Sequence, residues 1–364
     1  MTTSSVNAQK QILYVGTFSI RESKGIYAYH FDSQHGILTF LHTAFDIESP
    51  TFVTVHPSGK YLYAVNRMPL PGDHDTGSVT AYSIDPKTGE LKFINHVSCF
   101  GKRPCHISID KTGTFAFVSN YDEGNVVMIS ILPDGSLGAL ADVKKFGAQN
   151  MSTETVQSHI HNAVPSPDNK FIYVTDLGLD KIYIYSLDLK NGKIVPAKAK
   201  EISTAKGTGP RHFIFHPKGS FAYLVEEHTS TLATFSVDAV SGTLKLMQDT
   251  VRTLPENFTE KNSSADIRID AKGKFLYLTN RGHDSIAIFS VGENGNATLT
   301  SHQLAGRSPR ALAFDATGKY LLVANEAGDT IAVFEQNANT GLLTATGSEV
   351  KVPAGVCLQF LTLK

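Results

Sequence analysis

The chain has 364 residues, 41% of them apolar and 18% charged, enough to bury a full core and too apolar for a disordered chain. Lys plus Arg number 33 against 34 Asp plus Glu, a net charge of -1, which argues against a nucleic-acid binder. There is no run of 18 apolar residues, the start lacks a basic and apolar leader, and Cys99, Cys105 and Cys357 stand at unrelated spacings; the expectation is a cytoplasmic protein with reduced thiols and no membrane partner.

A rule of roughly 150 residues per domain allows two domains, but an internal repeat overrides that count. After residues 1–10, expected to be flexible, the chain opens on a strand at 12–17. A turn of outline Pro/Asp-x-Gly-Lys followed by an alternating apolar and aromatic run then recurs at 56–66, 110–120, 166–176, 216–226, 270–280 and 315–325. The anchors of these turns are Gly59, Gly113, Asn169, Gly219, Gly273 and Gly318. Before each anchor comes another short apolar run, as at 50–55, 104–109 and 210–215. After each comes a strand, a Gly-bearing turn and a strand, as at 77–91, with relatives starting near Lys24, Gly124, Asp180, Ser230, Asp284 and Asp329. This is strand and hairpin grammar.

Four short strands per repeat of about 50 residues indicate a β-propeller blade. Sandwiches need no registered copies, and β-helix coils are much shorter. The run at 354–363 is an inner strand with nothing after it, whereas 12–17 is a second strand with no inner strand before it. The C-terminal run is therefore predicted to complete the N-terminal blade. The expected fold is an all-β, seven-bladed β-propeller of four antiparallel strands per blade, forming a single domain over 11–364.

In that fold the loops entering the inner strands and the turns after the second strands open on one face of the central channel. These are the positions seven to ten before each anchor and seven to eight after it. Position minus eight holds Thr51, Cys105, His161, Arg211, Ala265 and Arg310; minus seven holds Phe52, His106, Asn162, His212, Asp266 and Ala311; plus eight holds Arg67, Tyr121, Leu177, Glu227, Arg281 and Glu326. The six columns cover about a tenth of the chain yet contain five of its nine arginines (Arg67, Arg103, Arg211, Arg281 and Arg310) and four of its fourteen histidines (His106, His159, His161 and His212). Fold stability does not require such a cluster, because buried like charges need an anion or carboxylates to compensate them. The face reads as a site for an anionic small molecule.

Several of these residues also have structural readings. Asn or Asp at plus seven suits turn hydrogen bonds, Arg67 and Arg103 suit rim salt bridges, and His283 with Asp284 suits capping of its turn. His159-x-His161, with His106, His212 or Asp266, has the donors for a metal, but the arginines would repel a cation, so no metal or other cofactor is expected. Gly-x-Ser-x-Gly, Walker A, Gly-x-Gly-x-x-Gly and Cys-x-x-Cys signatures are absent, leaving general acid/base chemistry on a carboxylate or phosphate ester as the reading.

The strings Arg103-Pro-Cys-His106, His159-Ile-His161, Gly209-Pro-Arg-His-Phe213, Asn280-Arg-Gly-His-Asp-Ser-Ile286 and Ser308-Pro-Arg310 resemble the seven-bladed lactonase family, which includes propeller-type 6-phosphogluconolactonases and fungal 3-carboxy-cis,cis-muconate lactonizing enzymes. The resemblance runs over 12–360. It implies hydrolysis of a sugar lactone, foremost 6-phosphogluconolactone to 6-phosphogluconate in the pentose phosphate pathway, or a lactonization at the same site. It also implies His161, Arg211, Glu227 and Arg281 as the acting groups, with Glu227 or His161 activating water and the other protonating the ring oxygen. His106, His159, His212, Arg310, Arg103 and His283 are expected to bind substrate. Where relatives read Val-Asn-Glu-Leu, this chain has Val225-Glu-Glu-His228, which brings a second carboxylate beside Glu227. The expected partner is an anionic sugar lactone, and the expected assembly a monomer or weak homodimer. The alternative to an enzyme is a non-catalytic propeller platform.

Overall fold

Twenty-eight short strands among the described residues pair into seven four-stranded antiparallel sheets. The computed structural model describes residues 10–45, 47–70, 75–147 and 157–363; apart from Lys10, the segment expected to be flexible lies outside them. No helix occurs among the described residues. Six sheets are built in chain order, as with Pro210–Phe215, Phe221–Glu226, Thr231–Val237 and Leu244–Arg252 from the channel outward. The seventh joins the two ends of the chain: Gly355–Thr362 pairs with Gln11–Thr17, in the register Ile12↔Leu361 and Val15↔Leu358. Each inner strand also neighbours the inner strands of the blades on both sides, so the ring closes.

The aromatic run after four of the six anchors has a specific task. Its tyrosine four places past the anchor is fully buried and donates a hydrogen bond to a glycine carbonyl in the outer hairpin of the next blade. Tyr63 reaches Gly135 O at 2.9 Å, Tyr173 reaches Gly242 O at 2.7 Å, Tyr223 reaches Gly295 O at 3.0 Å and Tyr277 reaches Gly341 O at 2.7 Å. Tyr14 does the same to Gly89 O at 2.7 Å. The hairpin glycines adopt positive φ, as Gly135 does at 83°, which lets the turn present its carbonyl to the tyrosine. Around these bonds, apolar faces of adjacent blades interdigitate. Tyr223, Val225 and Leu232 of one blade, for example, pack on Ile267, Leu276, Leu278 and Phe289 of the next. Core and closure thus lie between the blades, which leaves the channel free to be polar.

Candidate functional site

Strand alternation would send successive side chains to opposite faces of a sheet. The inner strands break this rule where they enter the channel. Pro104 pairs with Asn120 and His106 with Ser119, leaving Cys105 as an extra residue. The same bulge leaves out His161, Arg310 and Val356. In two further blades Arg211 with His212, and Ala265 with Asp266, stand opposite one residue each. A bulge re-aims side chains, and here it lets both the minus-eight and minus-seven residues face the axis, in two layers.

The minus-eight and plus-eight columns meet as predicted. Arg67, Cys105, Tyr121, His161, Glu227, Arg281 and Arg310, with Arg103 and Phe18, line an open mouth of about 260 Å³. Glu227 is its centre. The Nε of Arg211 lies 2.7 Å from Oε2, an ion pair in which the N–H is poorly aligned with the oxygen, and Nη2 of Arg281 lies 3.0 Å from Oε1. Ser263 Oγ donates to Oε1 at 3.0 Å, and Arg281 in turn donates to Ser263 Oγ and to the carbonyls of Ser263 and Ser264. Although burial opposes the charge, the two arginines and Ser263 hold the Glu227 carboxyl down at about 2. It is ionised, as expected, but both oxygens are engaged by the two arginines and Ser263, which leaves neither free to take a proton from water.

Charge at the mouth is not balanced. Arg67, Arg103, Arg211, Arg281 and Arg310 are offset by three carboxylates: Glu227, Asp122 at 3.6 Å from Arg103, and Glu326 at 3.5 Å from Arg310. Arg67 has no carboxylate within ion-pair distance among the described residues, and it shares with Arg310 the ring of Phe18, 5.0 and 5.1 Å from the two guanidinium carbons. Burial, together with Arg281 and Arg211, drives Arg310 down to about 9. His161 is pushed well below the usual histidine range, by burial first and then by Arg211, so it is neutral at neutral pH; its Nδ1 is buried without a partner.

The other expected substrate contacts divide. Arg103 is half-exposed at the rim, over Tyr121. His159 stands behind the mouth, stacked on Tyr121 at 4.4 Å with Nδ1 on the Tyr121 carbonyl at 3.1 Å, and so supports Tyr121 without lining the cavity. His106 and His212 lie one layer down, lining a second chamber of about 400 Å³ toward the other end of the channel. His283 packs against Phe258 and His302 and bonds Ser285 Oγ at 2.7 Å. This is the turn-capping position, outside the cavities described above. Among the described residues no three His, Cys, Asp or Glu side chains gather as metal ligands do. At plus seven, Asn66, Asn120, Asn280 and Asn325 make local hydrogen bonds.

Phe18 and Ser263 went unread in the sequence. Phe18 follows the strand Gln11–Thr17 as Arg67 follows Tyr61–Asn66; extending the columns to the blade without a glycine anchor would have found it. Ser263 sits in the minus-ten column, where nothing in its residue type set it apart.

The model of the seven-bladed β-propeller lactonases matches residues 12–360. A 6-phosphogluconolactonase of Bacillus subtilis is 33% identical over 97% of this chain and 99% of its own, and another of Formosa agariphila is 33% identical over 96% and 99%. The solved structure of a periplasmic gluconolactonase from Pseudomonas aeruginosa superposes with a TM-score of 0.90 at 30% identity, covering 98% of this chain and 100% of that one. On this footing, the chain belongs to the seven-bladed β-propeller lactonase family.

Proposed function

We propose that the protein hydrolyses a sugar lactone bearing an anionic group, foremost 6-phosphogluconolactone. The observation that carries this reading is the excess of guanidinium over carboxylate at the mouth, most acute at Arg67 and Arg310. An anion there would restore the ordinary basicity of Arg310 and offset the burial of both side chains. Arg310, Arg67 and the rim residue Arg103 hold the phosphate. Arg211 and Arg281, fixed by Glu227, face the lactone carbonyl and stabilise the negative charge that develops on its oxygen when water adds. Neutral His161 takes on one ring nitrogen the proton that the attacking water releases and gives the proton on its other nitrogen to the ring oxygen as the carbon–oxygen bond breaks. Glu227 serves by clamping the two arginines. Its usefulness as a base is lost to the same contacts that keep it charged.

The relatives named as 6-phosphogluconolactonases support the phosphorylated substrate. The test compares 6-phosphogluconolactone with unphosphorylated gluconolactone, with spontaneous hydrolysis subtracted at each pH. Faster turnover of the phosphorylated lactone, lost in Arg310→Ala, is expected. Equal turnover of both, unaffected by that change, would overturn the phosphate assignment.

A further inference from the structure

Between the mouth and the lower chamber lies a third, narrow space of about 30 Å³, the scale of one water molecule. His161, Cys105, Arg67, Arg310 and Phe18 wall both it and the mouth, so it adjoins the place where the lactone carbonyl would sit. His212 walls it from the other side and reaches the lower chamber as well. Two of its walls carry buried polar atoms that find no partner in the protein, Nε of Arg67 and Nδ1 of His161. Buried polar groups are seldom left unpaired, and a small polar chamber is where ordered water satisfies them.

The His212 ring is held from behind. Its Nδ1 lies 2.8 Å from Oδ1 of Asp266, which also accepts from Ile267 N at 2.9 Å and Arg268 Nη1 at 2.8 Å, while Oδ2 accepts from Leu312 N at 2.9 Å. These donors keep Asp266 ionised despite its burial. An ionised carboxylate accepts only, so it fixes the hydrogen on Nδ1 and leaves the lone pair on Nε2, which has no partner among the described residues. The His161 ring centroid is 5.3 Å away.

Resting on the lactone-hydrolysis reading, we infer that His212, oriented by Asp266, is the base that activates the hydrolytic water, and that this water is held in the small chamber beneath the mouth. The water oxygen bonds to the lactone carbonyl carbon while its proton passes to Nε2 of His212, giving an imidazolium next to Asp266. On collapse, the bond from the carbonyl carbon to the ring oxygen breaks. The proton returns through His161 to that oxygen, giving the hydroxy acid, which then ionises. His212 is catalytic in this scheme, and Asp266 is a positioning residue.

Two measurements test it. With wild-type protein in dilute 1-propanol, a chamber of about 30 Å³ admits water and is too small for the alcohol, so the expected product is the free acid with no propyl ester above the uncatalysed background. Propyl ester formed in proportion to the alcohol would place the nucleophile in the open mouth and overturn the inference. In the second, His212→Gln and Asp266→Asn are each expected to lower kcat by about 10²–10⁴-fold, with KM and the thermal shift given by 6-phosphogluconate unchanged. Folded variants that keep kcat within about threefold would refute the assignment of the base. The propanol measurement needs no variant, so it decides even if both variants fail to fold. Wild-type protein that hydrolyses no lactone would instead bring down the proposed function, an outcome distinct from active wild type with active variants.

Discussion

Nε of Arg211 lies 2.7 Å from Oε2 of Glu227, with 3% of the one side chain and 19% of the other exposed. The two residues come from either end of one hairpin, Arg211 from the bulge on Pro210–Phe215 and Glu227 from the turn after Phe221–Glu226. The bulge makes the meeting possible by turning the minus-eight residue to the axis at the level of the plus-eight residue. Because Arg281 of the next blade takes the other oxygen, one carboxylate locks the entrance of two blades.

Glu227→Gln is therefore expected to lower both activity, by at least about 10²-fold, and stability. Removing one partner of a buried ion pair typically costs about 3–5 kcal/mol, because the other charge is left uncompensated. The adjacent Glu226 is the opposite case. It is fully buried, its Oε2 accepts from Thr231 Oγ1 at 2.6 Å, and burial pushes its carboxyl up. A raised carboxyl means that the charged form is disfavoured in the folded protein, so at neutral pH Glu226→Gln should keep or raise the melting temperature and leave turnover within about threefold. Activity lost in Glu226→Gln and kept in Glu227→Gln would reverse the two roles.

The sequence made the blade count and ring closure legible because both rest on local chemistry repeated many times: the turn before each second strand and the alternating run after it. It also brought Glu227, Arg281, His161 and Arg310 to one mouth, with Arg211 just beneath it. The layering was not legible. Columns minus eight and minus seven look equivalent in sequence, and only the bulge register puts His212 and His106 a level below His161. The consecutive polar pairs Arg211-His212 and His161-Asn162 carried a signal, since neither suits strict alternation. The direction of His283 was not legible either, because a turn residue two places beyond Arg281 can point outward as readily as inward, and its ring packs on Phe258 and His302.

The uncompensated arginines predict stabilisation by anions. A sugar-phosphate acid at a hundred times its Kd should stabilise the folded state by about 2.7 kcal/mol through mass action, read as a rise in melting temperature. Arg310→Ala should abolish that rise. It is a sharper probe than Arg211→Ala, which also breaks the clamp on Glu227. A rise of equal size in Arg310→Ala would move the anion elsewhere.

Each interblade tyrosine should act on stability alone. Tyr223→Phe removes the donor to Gly295 O and leaves a buried carbonyl short of a partner, at about 1–3 kcal/mol. Denaturant unfolding should show this loss while turnover stays at wild-type level. Two blades lack the tyrosine, with Phe117 and Leu322 at the equivalent place, so the ring tolerates its absence twice. Unchanged stability would mean that the hydroxyl contributes nothing to closure.

Closure itself is open to test. Deleting residues 355–364 removes the inner strand paired with Gln11–Thr17 and exposes Leu13, Val15 and Tyr14, all fully buried. The truncated chain should lose cooperative unfolding or drop sharply in melting temperature. A truncated protein with wild-type thermal stability would show that the velcro between the chain ends is dispensable.

Acid should weaken the fold in two stages, because different groups titrate in each. Burial is the first cause holding His106, His161 and His212 below the usual histidine range, His212 at about 4 against an ordinary 6.5. Between these two values the unfolded chain takes up a proton that the folded site refuses, so stability falls as pH drops through that window. For His212 alone the full loss is about 3 kcal/mol, at 1.36 kcal/mol per pH unit. Glu227 works lower and through its arginines. With its carboxyl depressed from 4.5 to about 2, its stabilisation is complete above about pH 4.5 and disappears as pH falls toward 2. Calorimetry should therefore show the melting temperature falling already between pH 6.5 and 4.5, before the clamp carboxylate is protonated. His106→Gln removes one of the three histidines and should make that first decline shallower. A melting temperature that stays level from pH 8 to 4.5 in the wild-type protein would mean that these rings take up protons in the folded protein as readily as in the unfolded chain.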